Sequence, residues 1–155
     1  MLTGRCGCGA VTYTADRKPM FVHCCHCHDC QRLSGSAYAI NGMVETHALS
    51  VEGSVRVVQV PTPSGNGQEI HRCASCGTAI FSHYLIRDRR MAFLRVGTLD
   101  DPSLCPPDVQ IFTESKQPWV PLRDDLPVFE KFYTIKDVWP ADAYARRMQV
   151  TDEGR

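Results

Sequence analysis

No charge of one sign dominates this chain: Lys plus Arg number 17 and Asp plus Glu number 17, so the formal net charge is zero. Without a basic field there is nothing to gather phosphates or anionic lipid, which argues against nucleic acid and membrane surfaces as partners. Long apolar runs are missing too, and none approaches the ~18 residues of a spanning helix. The opening, MLTGRCGCGA, lacks the basic and apolar regions of a secretory signal, so the expected location is the cytoplasm. Internal repeats and low-complexity tracts are absent, and helical periodicity is thin. At 155 residues, one domain around one core is the simplest organisation.

Cysteine, in contrast, is plentiful, with nine residues. In a reducing compartment thiols stay free, and a cysteine-dense chain there reads as a metal binder rather than a disulfide scaffold. The odd count agrees with that reading. So does the crowding, because thiols in C-C or C-x-C order rarely meet disulfide geometry yet converge readily on one ion.

Short alternating segments dominate the rest: AVTYTA, LSVEGSVRVVQV, QEIHRC, MAFLRVG and DVQIFTE, with β-branched and aromatic residues between turn formers. They predict strands, and the segment 61–68, PTPSGNGQ, predicts the loop joining two of them. Helix is expected only in HDCQRLSG, stopped by Gly35, and in WPADAYARRM, where Pro140 suits a first turn. Prolines thicken after Thr98, which favours irregular coverage of a sheet. The expected architecture is all-β and mostly antiparallel, with a zinc-binding β domain over residues 1–133. Residues 134–155 are expected to form a C-terminal appendage with a short helix.

CASCGTAIF sets Cys73 and Cys76 in C-x-x-C order with Gly77 behind them, the turn of a zinc knuckle. CGCG at 6–9 adds Cys6 and Cys8, expected on one side of an extended segment. Two pairs close one tetrahedron, so Cys6, Cys8, Cys73 and Cys76 are expected to hold a structural Zn2+ that ties the first strand to a distant hairpin.

The stretch VHCCHCHDC, residues 22–30, carries the second set. In an extended backbone Cys25 and Cys27 share a face, and Cys30 follows where the chain turns out of the strand. Cys25, Cys27 and Cys30 therefore form a three-thiol set for a second Zn2+, and an open fourth position is the mark of a catalytic rather than a structural ion. Alternatively Cys24, His23, His28 or the distant Cys105 fills that position and makes a second staple. Cys24 otherwise reads as a small buried apolar side chain and Cys105 as inert. His26 and His28 are candidates for proton transfer or for simple solvation, and His71 and His83 read as strand residues. Arg32, Ser34 and Ser36 either bind a peptide-like carboxylate or stay on the surface.

Charge counting narrows the chemistry. Zn2+ with three thiolates is net negative, a weaker Lewis acid than a three-histidine zinc and poorly suited to activating water. An incoming thiol is soft, matches the site, and loses its proton on coordination. Thiol addition to a small electrophile is the leading reading.

Together GRCGCGAVTY, CHCHDCQRLSGSAYA, RCASCGTAIF, LRVGTLDDP and PWVPLRDDLPVFEKF resemble the glutathione-dependent formaldehyde-activating enzyme family, whose relatives include centromere protein V. The match runs from about Gly4 to Phe132. The resemblance implies an all-β Mss4-like fold with two Zn2+ ions, the first at Cys6, Cys8, Cys73 and Cys76 and the second at Cys25, Cys27 and Cys30. It implies addition of glutathione to formaldehyde, a carbon–sulfur lyase reaction when named in reverse. Two other readings stand beside it: a non-catalytic zinc-stabilised β binding module with two structural sites, and an iron–sulfur carrier.

Overall fold

The computed structural model describes residues 1–86 and 89–152. Among these, ten strands form two sheets. The smaller joins β1 (Leu2–Arg5), β2 (Thr12–Ala15) and β5 (Leu49–Glu52), in that order. Across the larger sheet the spatial order is β10 (Val109–Ile111), β3 (Phe21–Cys25), β4 (Ala39–Glu45), β9 (Met91–Arg95), β8 (Ala79–Tyr84), β7 (Gln68–Cys73) and β6 (Val55–Val60). Every pairing between these strands is antiparallel except β10 with β3. The fold is all-β with a few short helices.

Alternation along the strands sorts the apolar side chains into two interiors. Val22, Val44, Ala92, Leu94 and Phe81 join Leu2, Val11, Tyr13 and Ala15 in a core between the sheets. Phe21, Cys25, Met43, Val109 and Ile111 point the other way, against α1 (His28–Ser34) and the C-terminal segment. All five residues of β3 are consequently buried, as expected of a strand covered on both faces.

Helix α1 begins and ends on side-chain and backbone geometry written in its sequence. Cys27 caps it, its Sγ accepting the Cys30 N–H at 3.4 Å. Gly35 stops it in the left-handed region, φ 65°, where a Cβ would be strained, and its N–H returns to the Gln31 carbonyl. Beyond the strands the chain lays its outer cover: α2 (Ile135–Val138) and α3 (Ala141–Asp152) follow Tyr133, and Trp139 stacks on Phe21 with ring centroids 4.9 Å apart. Trp139 Nε1–H donates to Tyr133 Oη at 2.7 Å, and that hydroxyl is hydrogen-bonded to His23 Nε2 at 2.6 Å. One buried phenol thus fastens the C-terminal segment to β3.

Candidate metal centres

Four sulfurs meet where β1 ends and the β7–β8 turn begins. Residues 6–9 form a tight turn, not the extended segment expected: the Gly9 N–H reaches the Cys6 carbonyl, and the Val11 N–H donates to Cys6 Sγ at 3.2 Å. The turn succeeds because Gly9 adopts φ 78°. On the facing side a bulge at His71/Arg72 leads into Cys73, whose carbonyl receives the N–H of Gly77 at φ 75°. The two turns are joined through Thr78 Oγ1, which lies 3.2 Å from Gly7 N and 3.1 Å from Cys76 Sγ.

Cys6, Cys8, Cys73 and Cys76 all have Sγ atoms within 4.8 Å of one another. Cys6 to Cys8 is 3.5 Å and Cys8 to Cys73 is 3.8 Å, too long for disulfides, and all nine cysteines are free. A tetrahedral Zn2+ with Zn–S of ~2.3 Å requires sulfur separations of about 3.8 Å, so donor type and spacing fit that ion. Thr78 holds the Cys76 thiol down to about 5, through its hydroxyl and its backbone N–H, which favours the thiolate a metal needs.

The second group lies at the junction of β3 with α1. Cys25 closes the strand, Cys27 caps the helix and Cys30 sits in its first turn, bringing three sulfurs within 4.8 Å. Donor set and spacing again fit zinc. Protons are unevenly shared among them: hydrogen bonds from Cys25 and Cys30 draw Cys27 down to about 2, while the same contacts push Cys25 up. A bound dication would require all three sulfurs as thiolates.

Among the described residues no fourth His, Cys, Asp or Glu atom joins this trio. Cys24 faces the other side of β3, its Sγ 3.5 Å from His26 Nε2. His23 is engaged by Tyr133, Cys105 lies in the core between the sheets, and His28 is exposed. His26 is buried against Cys24 and Tyr38, with its Nδ1 lacking a hydrogen-bond partner and burial disfavouring its charged form. His71 stacks on Phe81 and His83 Nδ1 reaches the Met91 carbonyl, both within strands.

The polar residues after Cys30 do not gather. Arg32 pairs with Asp29 on the surface, Ser34 Oγ donates to the Cys30 carbonyl, and Ser36 is exposed. The trio's polar support comes instead from Asn41 on β4 and Arg95 on β9, to which sequence reading gave no role. Asn41 Nδ2 approaches Cys30 Sγ at 3.8 Å, and Arg95 Nη1 donates to Asn41 Oδ1. The available signal was parity: Arg95 continues the Met91, Phe93 side of its strand, and Asn41 sits opposite it in the ladder.

An all-β scaffold whose distant segments are gathered by cysteines at zinc-binding spacing defines a class of small metal-stapled β proteins. Within that class, the sequence model for the glutathione-dependent formaldehyde-activating enzyme matches residues 1–115. The chain belongs to the glutathione-dependent formaldehyde-activating enzyme family. No curated protein matches it. Among solved structures, a crystal structure of a Rhodobacter sphaeroides protein, a structural-genomics target, is similar at 17% identity and a TM-score of 0.45, over 83% of this chain and 99% of that one.

Proposed function

We propose that the chain binds two Zn2+ ions, one saturated by Cys6, Cys8, Cys73 and Cys76 and one held by Cys25, Cys27 and Cys30 with a position left for a thiol. The reaction is addition of a small thiol such as glutathione to a small aldehyde such as formaldehyde. The observation that carries it is the three-sulfur group, which no fourth protein donor joins among the described residues.

A Zn2+ on three thiolates supplies a soft acceptor that favours ionisation of an incoming thiol while leaving its sulfur nucleophilic. The chain's own residues hold and bias that centre. Cys27 is half-buried where Cys25 and Cys30 are buried, and as the least covered of the three residues it marks the approach. The Asn41 amide steadies Cys30. In the balanced reaction the thiol sulfur forms the new C–S bond and its proton ends on the former carbonyl oxygen, with no oxidant or reductant required.

Burial of Cys25 and Cys30 favours a second reading, a non-catalytic β binding module in which both ions are structural. Cobalt substitution separates the two. Glutathione titrated into the dicobalt protein is expected to add thiolate-to-metal absorbance at one site; no spectral change at millimolar thiol would overturn the enzyme reading. The working division remains a zinc-bearing domain over 1–133 and a C-terminal appendage over 134–155. A reducing, cytoplasmic setting suits nine free thiols.

A further inference from the structure

Between the two cysteine groups lies a cleft of about 480 Å³. One wall is the end of α1 and the start of β4, through Leu33, Tyr38 and Ile40; the other is the turn after Cys76, through Thr78. Two arginines, Arg72 and Arg95, line it as well. Arg72 Nη1 donates to the Gly77 carbonyl at 2.9 Å, and Arg95 bonds Asn41 and Ser82. Among the described residues no carboxylate pairs with either, although six other arginines have acidic partners.

Both guanidiniums are only partly buried, which leaves donors free to turn toward a ligand in the cleft. Arg56 approaches the same turn, its Nη2 only 3.6 Å from where a Cβ on Gly77 would stand. In a chain of zero net charge, a local gathering of cations against apolar walls focuses a positive field on whatever enters. Guanidinium groups present paired donors that match a carboxylate. The cleft is linked to the trio through its neighbours: Leu33 and Ser34 lie about one helical turn beyond Cys30, and Arg95 reaches Cys30 through Asn41.

We propose that this cleft is a carboxylate subsite, in which Arg72 and Arg95 grip a carboxylate of a small acidic thiol and direct its sulfur toward Cys25, Cys27 and Cys30. The proposal rests on the trio being the open centre, but the subsite has its own signature because it recognises charge rather than sulfur. It replaces the role that Arg32, Ser34 and Ser36 were candidates for.

Calorimetry on the zinc-loaded protein tests it with three probes: glutathione, S-methylglutathione, which carries both carboxylates but no free thiol, and glutathione diethyl ester, which carries neither. S-methylglutathione is expected to bind, and Arg72→Gln is expected to weaken it by about tenfold while leaving the ester unchanged. Equal affinities of acid and ester for the wild type, or no S-methylglutathione binding at millimolar concentration, would overturn the subsite. So would an unchanged affinity in an Arg72→Gln protein that keeps its zinc and its melting temperature. If that variant loses its fold, the acid-versus-ester comparison on the wild type decides alone. Arg72-dependent binding of S-methylglutathione, with no sulfur entering the metal shell when glutathione is added, would keep the subsite and remove the enzyme reading.

Discussion

Arg146 grips both carboxylate oxygens of Glu45, Nε to Oε1 at 3.1 Å and Nη2 to Oε2 at 2.7 Å, and so joins the last helix to the end of a central strand. Glu45 is only 2% exposed, and Arg17 stands off at 3.6 Å on its outer side. A carboxylate taken so far from water requires its partners.

Arg146→Ala should destabilise the protein by about 2–3 kcal/mol, somewhat less than for a fully isolated buried charge because Arg17 remains. Burial alone would raise the Glu45 carboxyl, but Arg146 and then Arg17 overcome it and hold the group below 4.5. A folded-state value below the unfolded one contributes stability above about pH 4.5, lost as pH falls through the folded value. Urea unfolding at pH 7 and pH 3.5 should therefore show a smaller mutational penalty in acid. An equal penalty at both would remove the ion pair as the cause.

Cys73→Ala and Cys27→Ser should part company. The first breaks a staple between β1 and the β7–β8 turn, and structural zinc contributes about 10–16 kcal/mol of apparent binding energy to folding, so a cooperative melt should be lost. The second should retain one zinc equivalent and melt near the wild type. Metal analysis beside thermal melts reads both, and two equally unfolded variants would refute the division of labour.

Tyr133→Phe removes one oxygen but orphans two buried groups, the Trp139 Nε1–H and the His23 Nε2. The expected loss is about 2–3 kcal/mol, beyond that of one ordinary hydrogen bond. Chemical denaturation measures it; a cost under about 0.5 kcal/mol would mean that water replaces the hydroxyl on both sides.

Asn41→Ala should act on metal rather than on fold. Loss of the amide beside Cys30 Sγ is expected to weaken the second zinc by about tenfold, in the range found for groups that orient ligands. Competition with a chromophoric chelator should show that loss at one site only. Equal weakening of both sites would assign Asn41 to general stability.

Much of this architecture was legible from residue order. The Cys25, Cys27 and Cys30 group, the two cysteine pairs of the other group, the loop after β6 and the left-handed stop at Gly35 follow from local chemistry, because each depends on residues a few positions apart. The tight turn at Cys6–Gly9 was misjudged as extended, since glycine permits either shape and only the Val11 N–H donated to Cys6 Sγ selects one. Parallel pairing of Val109–Ile111 with β3 was hidden for a different reason: a three-residue strand has no period to read. Arg72, Arg95 and Asn41 escaped notice because each lies in an ordinary strand sequence, and what sets them apart is the missing acid or the sulfur across the sheet. Separation of 101 positions likewise concealed Arg146 from Glu45.

The doubled cysteine of β3 gives that strand a phase it cannot exchange. Cys24 faces His26 while Cys25 belongs to the interior beneath the C-terminal segment, so sliding the strand by a single residue would bring a thiol to the three-sulfur group but from the wrong neighbour. Tyr133 would then face Cys24 or Val22 in place of His23, and the phenol's hydrogen bond would vanish. The aromatic clasp on the C-terminal cover therefore acts as a molecular index pin: it selects which of two adjacent sulfurs joins Cys27 and Cys30.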